Sequence, residues 1–228
     1  MTIGIMGAMV EEIEPLLEFF GEYEVVEYAK NRYYKTSYNG HDIVVAYSKI
    51  GKVFASLTAT VMIEKFGVQK LLFSGVAGAI DSSLKIGDLI VAKGLVQHDL
   101  DITAFGHPFG YVPEGEVCIL ADEELLKVSK EVASELGIEL KEGIIATGDQ
   151  FVASSERKEW IEGTFKAHAL EMEGASVAVV CDALNVPFFV LRAISDSADM
   201  DAGFDFDEFL KSSAKVSADF IVKMVEKL

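Results

Sequence analysis

The stretch TIGIMGAMVEEIEPLLEFF, residues 2–20, changes its hydrophobic period in the middle. Up to Met6 it is a short, nearly continuous apolar run, as a buried strand requires. From Val10 to Phe20 apolar residues recur at three- and four-residue spacing, which predicts a helix. Gly4, Gly7 and the small Ala8 stand at the junction, the way a phosphate cradle at a strand-to-helix turn begins. Glu11 and Glu12 follow at once, and a phosphate dianion would meet two carboxylates there. The turn therefore has the shape of an anion site and the charge of something else.

Outward from this turn the same alternation repeats. TIGIM, DIVVAYS, KLLFSGV, DLIVAKGLVQHD, GIIATG and FFVLRAIS read as strands, several of them buried on both faces. Helices are predicted over Val10–Phe20, Val53–Phe66, Asp122–Leu136, Glu173–Leu184 and Asp207–Leu228, each amphipathic enough to pack on a sheet. Asp122 and Asp205 are suited to cap helix starts, and Gly67 and Gly137 to end helices in the left-handed conformation. The pattern predicts one α/β domain over residues 1–228, a mixed central sheet flanked by helices. Leu100–Val117, LDITAFGHPFGYVPEGEV, has weak periodicity and many Gly, Pro and aromatic residues, marking an ordered functional loop.

Composition narrows the function. A net charge of −17 over 228 residues disfavours nucleic acid, whose binding rests on Lys and Arg neutralising phosphates. The apolar runs are too short to span a bilayer and the N-terminus carries no basic leader, so no membrane partner and a cytoplasmic location are expected. Cys118 and Cys181 have no CxxC spacing and read as ordinary buried thiols. The four histidines lack metal-ligand spacing, so neither metal nor cofactor is expected.

In α/β sheets ligands sit beyond the carboxyl ends of strands. Polar clusters follow the strand-like runs at GAMVEE, SGVAGAI, TGDQFV and SDSAD, and ALEMEGASVA places Glu171 and Glu173 at a helix start. A lone carboxylate at a helix start complements the helix dipole, and on a strand Glu171 and Glu173 would share one face. Carboxylates at three separate strand ends of one parallel sheet, however, should converge on one crevice.

Taken together, IGIMGAMVEEI, SKIGKV, SGVAGAI, DITAFG, TGDQFV, EMEGASVA, RAISDSAD and FDEFL resemble the motifs of bacterial 5′-methylthioadenosine/S-adenosylhomocysteine nucleosidases, in that family's order from Gly4 to Leu210. The resemblance implies a nucleoside phosphorylase/hydrolase-type fold, a homodimer, no cofactor, and hydrolysis of an adenosine N-glycosidic bond; a purine nucleoside phosphorylase is the alternative. It gives Asp196 the role of the acid that protonates adenine N7, with Ser195 orienting it, and Glu12 that of the base that positions water. Glu173 would accept the ribose hydroxyls, and Met9 and Met172 would pack along the sugar. Adenine would stack on Phe151 and meet the backbone of Val152. Ile50, Val76, Ile102, Phe105, His107, Pro113 and Phe206 complete the substrate-binding set, with Phe105 and Pro113 closing the partner subunit's pocket. Many members carry Ser where this chain has Val76, so a side-chain hydrogen bond is missing there. Arg192, close to several carboxylates, is expected to pair with one of them.

Overall fold

The computed structural model of the chain describes the backbone of residues 1–196 and 206–228, and the side chains of 1–195 and 209–228. Strand β1 (Thr2–Gly7) leads into α1 (Val10–Phe20), followed by β2 (Glu24–Tyr28), β3 (Asn31–Tyr38), β4 (His41–Tyr47), α2 (Lys52–Phe66), β5 (Lys70–Ala79) and β6 (Leu89–Gln97). A single 3-10 turn (Thr103–Phe105) interrupts the long loop before β7 (Cys118–Leu120) and α3 (Glu123–Leu136). The chain continues through β8 (Leu140–Thr147), α4 (Ser155–Phe165), β9 (Ala167–Glu171), α5 (Gly174–Ala183), β10 (Phe188–Asp196) and α6 (Phe206–Lys227).

The apolar strands are continuous because both faces are covered. Successive side chains alternate between faces, so Leu71 and Phe73 join the core under α2 and α5 while Leu72 joins the one under α1, α3 and α6. Ala55, Met62, Val177 and Cys181 line the first core; Ile13, Leu16, Val132, Phe220 and Met224 line the second. Asp122 caps α3 by accepting from Leu125 N at 2.9 Å, and Gly67 and Gly137 end α2 and α3 in the left-handed conformation. The Asp205 cap lies outside the described residues. Cys181 is buried and Cys118 partly so; both are free, and burial pushes both thiols up, that of Cys181 to about 12. Among the described residues no helix is long and apolar enough to cross a membrane.

The sheet departs from a single parallel one. β4, β1, β5 and β10 run parallel, but β10 is antiparallel to β6, and β9 is antiparallel to β5. Since β6, β8 and β9 are mutually parallel in that order, strands β5, β10, β6, β8 and β9 close a ring, with β1, β4, β3 and β2 extending from it. The convergence expected from parallel strand ends is reached differently: β9 meets β5 over only Gly78↔Leu170 and Ala79↔Ala169. The carboxyl tips of two antiparallel strands thus overlap, and Glu171 arrives beside the end of β5. The β2–β3 hairpin, β7, β9 and α4 add to the elements expected from periodicity.

Candidate active site

Glu12 fills the acidic turn. Met9 is the N-cap of α1 and Glu12 the third helical position, from which its side chain folds back over the helix start. Its Oε2 accepts from Ala8 N at 2.6 Å and Met9 N at 3.0 Å, and its Oε1 from Val76 N at 3.2 Å. The amides that would cradle a phosphate are thereby occupied by the chain's own carboxylate. Gly75 makes this possible, because a Cβ there would stand 2.9 Å from Glu12 Oε1. Burial raises the Glu12 pKa above the usual carboxylate value, while Arg192 and the three amides oppose it. The outcome is a buried carboxyl that gives up its proton later than an exposed one and, once charged, holds it within a ring of donors.

A second carboxylate belongs to the scaffold. Arg192, on β10 and only 2% exposed, places Nη2 2.7 Å from Glu171 Oε2, lies over the Phe73 ring at 4.1 Å, and gives Nη1 to the carbonyls of Leu191 and Phe73. Glu171 also accepts from Gly174 N at 2.7 Å and Glu173 N at 3.2 Å, and from the Thr147 hydroxyl. Such a pair is tolerable in a core only when further hydrogen bonds support it, as the Leu191 and Phe73 carbonyls do for Arg192 and the Gly174, Glu173 and Thr147 donors do for Glu171. The expected Arg192 partner is thus Glu171. The face shared by Glu171 and Glu173 is not observed, since β9 ends at Glu171 and Glu173 turns away as the N-cap of α5.

Turned this way, Glu173 is buried and accepts from Gly51 N at 2.8 Å. Burial and the charge of Glu171, with a smaller push from Glu12, drive its carboxyl up to about 7, against the pull of Gly51 N–H and Arg192. Glu12 and Glu173 are therefore two buried carboxyls, each held by backbone N–H donors.

The other candidates fall into two groups. Met9 and Val76 adjoin Glu12, and the exposed Ile50 precedes the amide that holds Glu173. Phe151, Val152 and Met172 line one cleft with Gly78, Gln150, Lys158, Leu170 and Glu171, and Phe151 offers a ring that is 81% exposed. As it stands the cleft holds about 40 Å³, room for one water. Ser195 is buried, its hydroxyl 3.4 Å from Ala77 O, at a register shift between Ile194 and Asp196. The long loop behaves otherwise: Ile102 is half-buried, Phe105 is 81% exposed, Pro113 is exposed, and His107 stacks on Tyr111 at 4.5 Å. The side chains of Asp196 and Phe206 lie outside the described residues.

Residues 2–226 match the phosphorylase superfamily. The aminodeoxyfutalosine nucleosidase of Campylobacter jejuni is 59% identical over 228 residues, with all of both chains covered. A 5′-methylthioadenosine/S-adenosylhomocysteine nucleosidase of Oceanobacillus iheyensis is 37% identical over 229 residues, again with both chains covered in full. The chain belongs to the phosphorylase superfamily and, within it, to the family of these nucleosidases. The crystal structure of a Campylobacter jejuni 5′-methylthioadenosine/S-adenosylhomocysteine nucleosidase superposes with a TM-score of 0.98 at 59% identity over the whole of both chains. Such nucleosidases hydrolyse N-glycosidic bonds, which agrees with a site built on carboxylates rather than on a phosphate cradle.

For a nucleosidase the protonation of Glu173 has a measurable cost. In the unfolded chain its carboxyl ionises near 4.5; in the native protein it does so near 7. Below 4.5 both states hold the proton and nothing is lost; between 4.5 and 7 the unfolded chain releases its proton while the native one keeps it, so stability falls across that window and levels off above 7, where both are charged. At 1.36 kcal/mol per unit the penalty reaches roughly 3 kcal/mol as an upper bound. Glu173→Gln, which keeps an oxygen for Gly51 N, is expected to raise Tm at pH 8.5 by about 4 °C and to leave it nearly unchanged at pH 5. Thermal unfolding of the nucleoside-free protein checks this; an equal shift at both pH values would contradict it.

Proposed function

We propose that the protein hydrolyses the N-glycosidic bond of 5′-methylthioadenosine, S-adenosylhomocysteine, 5′-deoxyadenosine and 6-amino-6-deoxyfutalosine, releasing from each adenine and the corresponding 5′-substituted ribose. The observation that carries this reading is the Glu12 carboxylate seated among Ala8 N, Met9 N and Val76 N, where a phosphorylase needs room for phosphate. Water attacks C1′ and gives its proton to Glu12. The C1′–N9 bond breaks with its electron pair passing into the purine, and Asp196 supplies the proton that lets the base leave neutral at N7. Glu173 accepts the ribose hydroxyls, which steadies the positive charge building on the ring. Phe151 supplies the stacking surface for the base and Val152 its backbone contacts.

Breadth of substrate is supported by the relatives, since the full-length Campylobacter jejuni matches at 59% identity carry both the aminodeoxyfutalosine and the methylthioadenosine names. We assign the enzyme to methionine salvage and to the futalosine route to menaquinone, in the cytoplasm. A panel of the four nucleosides, with free adenine measured in phosphate-free buffer, tests the assignment; adenine from none of them would refute it.

His107 is proposed to meet the distal carboxylate of the larger substrates. His107→Ala should then lower turnover of aminodeoxyfutalosine several-fold more than that of methylthioadenosine, and equal losses would remove the role. The same loop supports a homodimer. Phe105 and, on α2, Val53, Phe54 and Leu57 are exposed apolar side chains that a second copy of the chain would cover. Light scattering should find a dimer at assay concentrations; a fully active monomer would contradict this.

A further inference from the structure

Three charged residues outside the reacting groups tie together the two halves of the crevice. Lys52 Nζ lies 2.7 Å from Asp99 Oδ1 and 3.1 Å from Gln97 Oε1, at the end of β6. The other oxygen of Asp99 accepts from Asp149 N at 2.8 Å, and Asp149 Oδ1 accepts from Lys52 N at 2.7 Å. The ion pair is largely shielded, with 18% and 14% of the two side chains exposed. Burial pushes the Asp99 carboxyl up, but Lys52 and the Asp149 amide hold it below its ordinary value.

The loop closes on the substrate side at both ends. Helix α2 has no side-chain cap of its own, and its first free amide, Lys52 N, is capped by Asp149 from the turn after β8. The preceding residue, Gly51, has φ +101°, and a Cβ there would come within 3.0 Å of Asp149 Oδ1, so glycine is required both by the backbone and by the carboxylate. Fixed in that conformation, Gly51 aims its own N–H at Glu173 Oε1. On the other side Asp149 leads directly into Gln150, Phe151 and Val152, which line the cleft.

We infer that Asp149, clamped by Asp99 and Lys52, is a positioning residue that sets the Gly51 amide on Glu173 and the Phe151–Val152 segment in one rigid unit, so that ribose and base contacts are held in register. The inference rests on the hydrolase reading above. Asp149 touches no reacting atom; it acts through Gly51 and through the backbone it begins. Orientation of this kind enters turnover, since small misplacements of positioning groups are costly.

A merely structural carboxylate would alter stability alone, whereas this one should also alter the titration of Glu173. Among the described residues four groups face Glu173: the Gly51 amide before α2, Glu171 on β9, Arg192 on β10 and Glu12 on α1. Loss of the amide leaves the two carboxylates less opposed, and the Glu173 carboxyl moves up. Asp149→Ala is expected to lower kcat/KM for methylthioadenosine at least ~10-fold and to move the acidic limb of the pH profile to higher pH. Asp149→Asn keeps an oxygen for Lys52 N and should recover most of the loss. Lys52→Met, which breaks the clamp while leaving Asp149 in place, should shift the limb in the same direction and serves if the alanine variant does not fold. An unmoved limb in Asp149→Ala, or in Lys52→Met where the alanine variant does not fold, or kcat/KM of that variant within twofold of the parent, would overturn the inference while the parent's activity upheld the hydrolase; a parent that released no adenine would overturn both.

Discussion

Glu12→Gln is expected to lower kcat by at least ~100-fold while nucleoside binding survives, the usual scale for losing a positioned base. The substitution changes two things at once. An amide cannot take a proton from water at any working pH. It can also satisfy at most part of the donor ring, because its NH₂ end would face an amide where Glu12 now accepts from Ala8 N, Met9 N and Val76 N. Stopped-flow binding with a non-cleavable nucleoside separates the two: a preserved Kd with collapsed kcat assigns Glu12 to the chemistry. In the parent, kcat/KM should fall on the acid side as Glu173 and Glu12 gain their protons, both at a pH above that of an ordinary carboxylate because burial raises both. Near-normal turnover of the Gln variant would remove Glu12 from the mechanism.

Asp196→Asn should produce a loss of similar size, at least ~100-fold in kcat, for the opposite reason. An acid must hold its proton until the base departs, and an amide has none to give. The loss should shrink for nucleosides whose base leaves readily without protonation, and it should not for Glu12→Gln, whose task is the water. Comparing both variants on a methylthioadenosine and on an analogue with a better leaving base checks the assignment. If both variants respond alike, the division into acid and base is wrong.

What could be read from the sequence follows from where the information lies. Strands β1, β5 and β10 were legible because their apolar residues are packed on both faces of the sheet, so the run itself carries the signal, and helix α1 because Ile13 and Leu16 recur on its one buried face. The β2–β3 hairpin was not, because Glu24–Tyr28 lies at the edge of the sheet and is mostly exposed, leaving no apolar period to find. Helix α4 buries only Ile161 and Phe165, too few to mark a face. The closed ring depends on pairings between distant strands, which no local period encodes.

The candidate site divides along the same line. Glu12 and Glu173 sit at the ends of elements whose patterns were clear, and the structure gives each a buried setting with backbone donors. The Arg192 partner was foreseen as a carboxylate but not as Glu171, since Glu171 and Glu173 are two residues apart and only the turn from β9 into α5 separates their roles. Lys52, Asp99 and Asp149 come from three widely spaced segments; Lys52 and Asp149 lie within the motifs SKIGKV and TGDQFV, but the three become a unit only when β6 and the turn after β8 meet the start of α2.

The central claim is that the turn after β1 serves water and not phosphate. It is tested most directly by letting the enzyme cleave 5′-methylthioadenosine in ¹⁸O-labelled water containing phosphate and analysing the sugar by mass spectrometry. The account predicts free methylthioribose carrying one ¹⁸O at C1, at a rate unaffected by phosphate. Methylthioribose 1-phosphate, formed at a rate that rises with phosphate concentration, would contradict it.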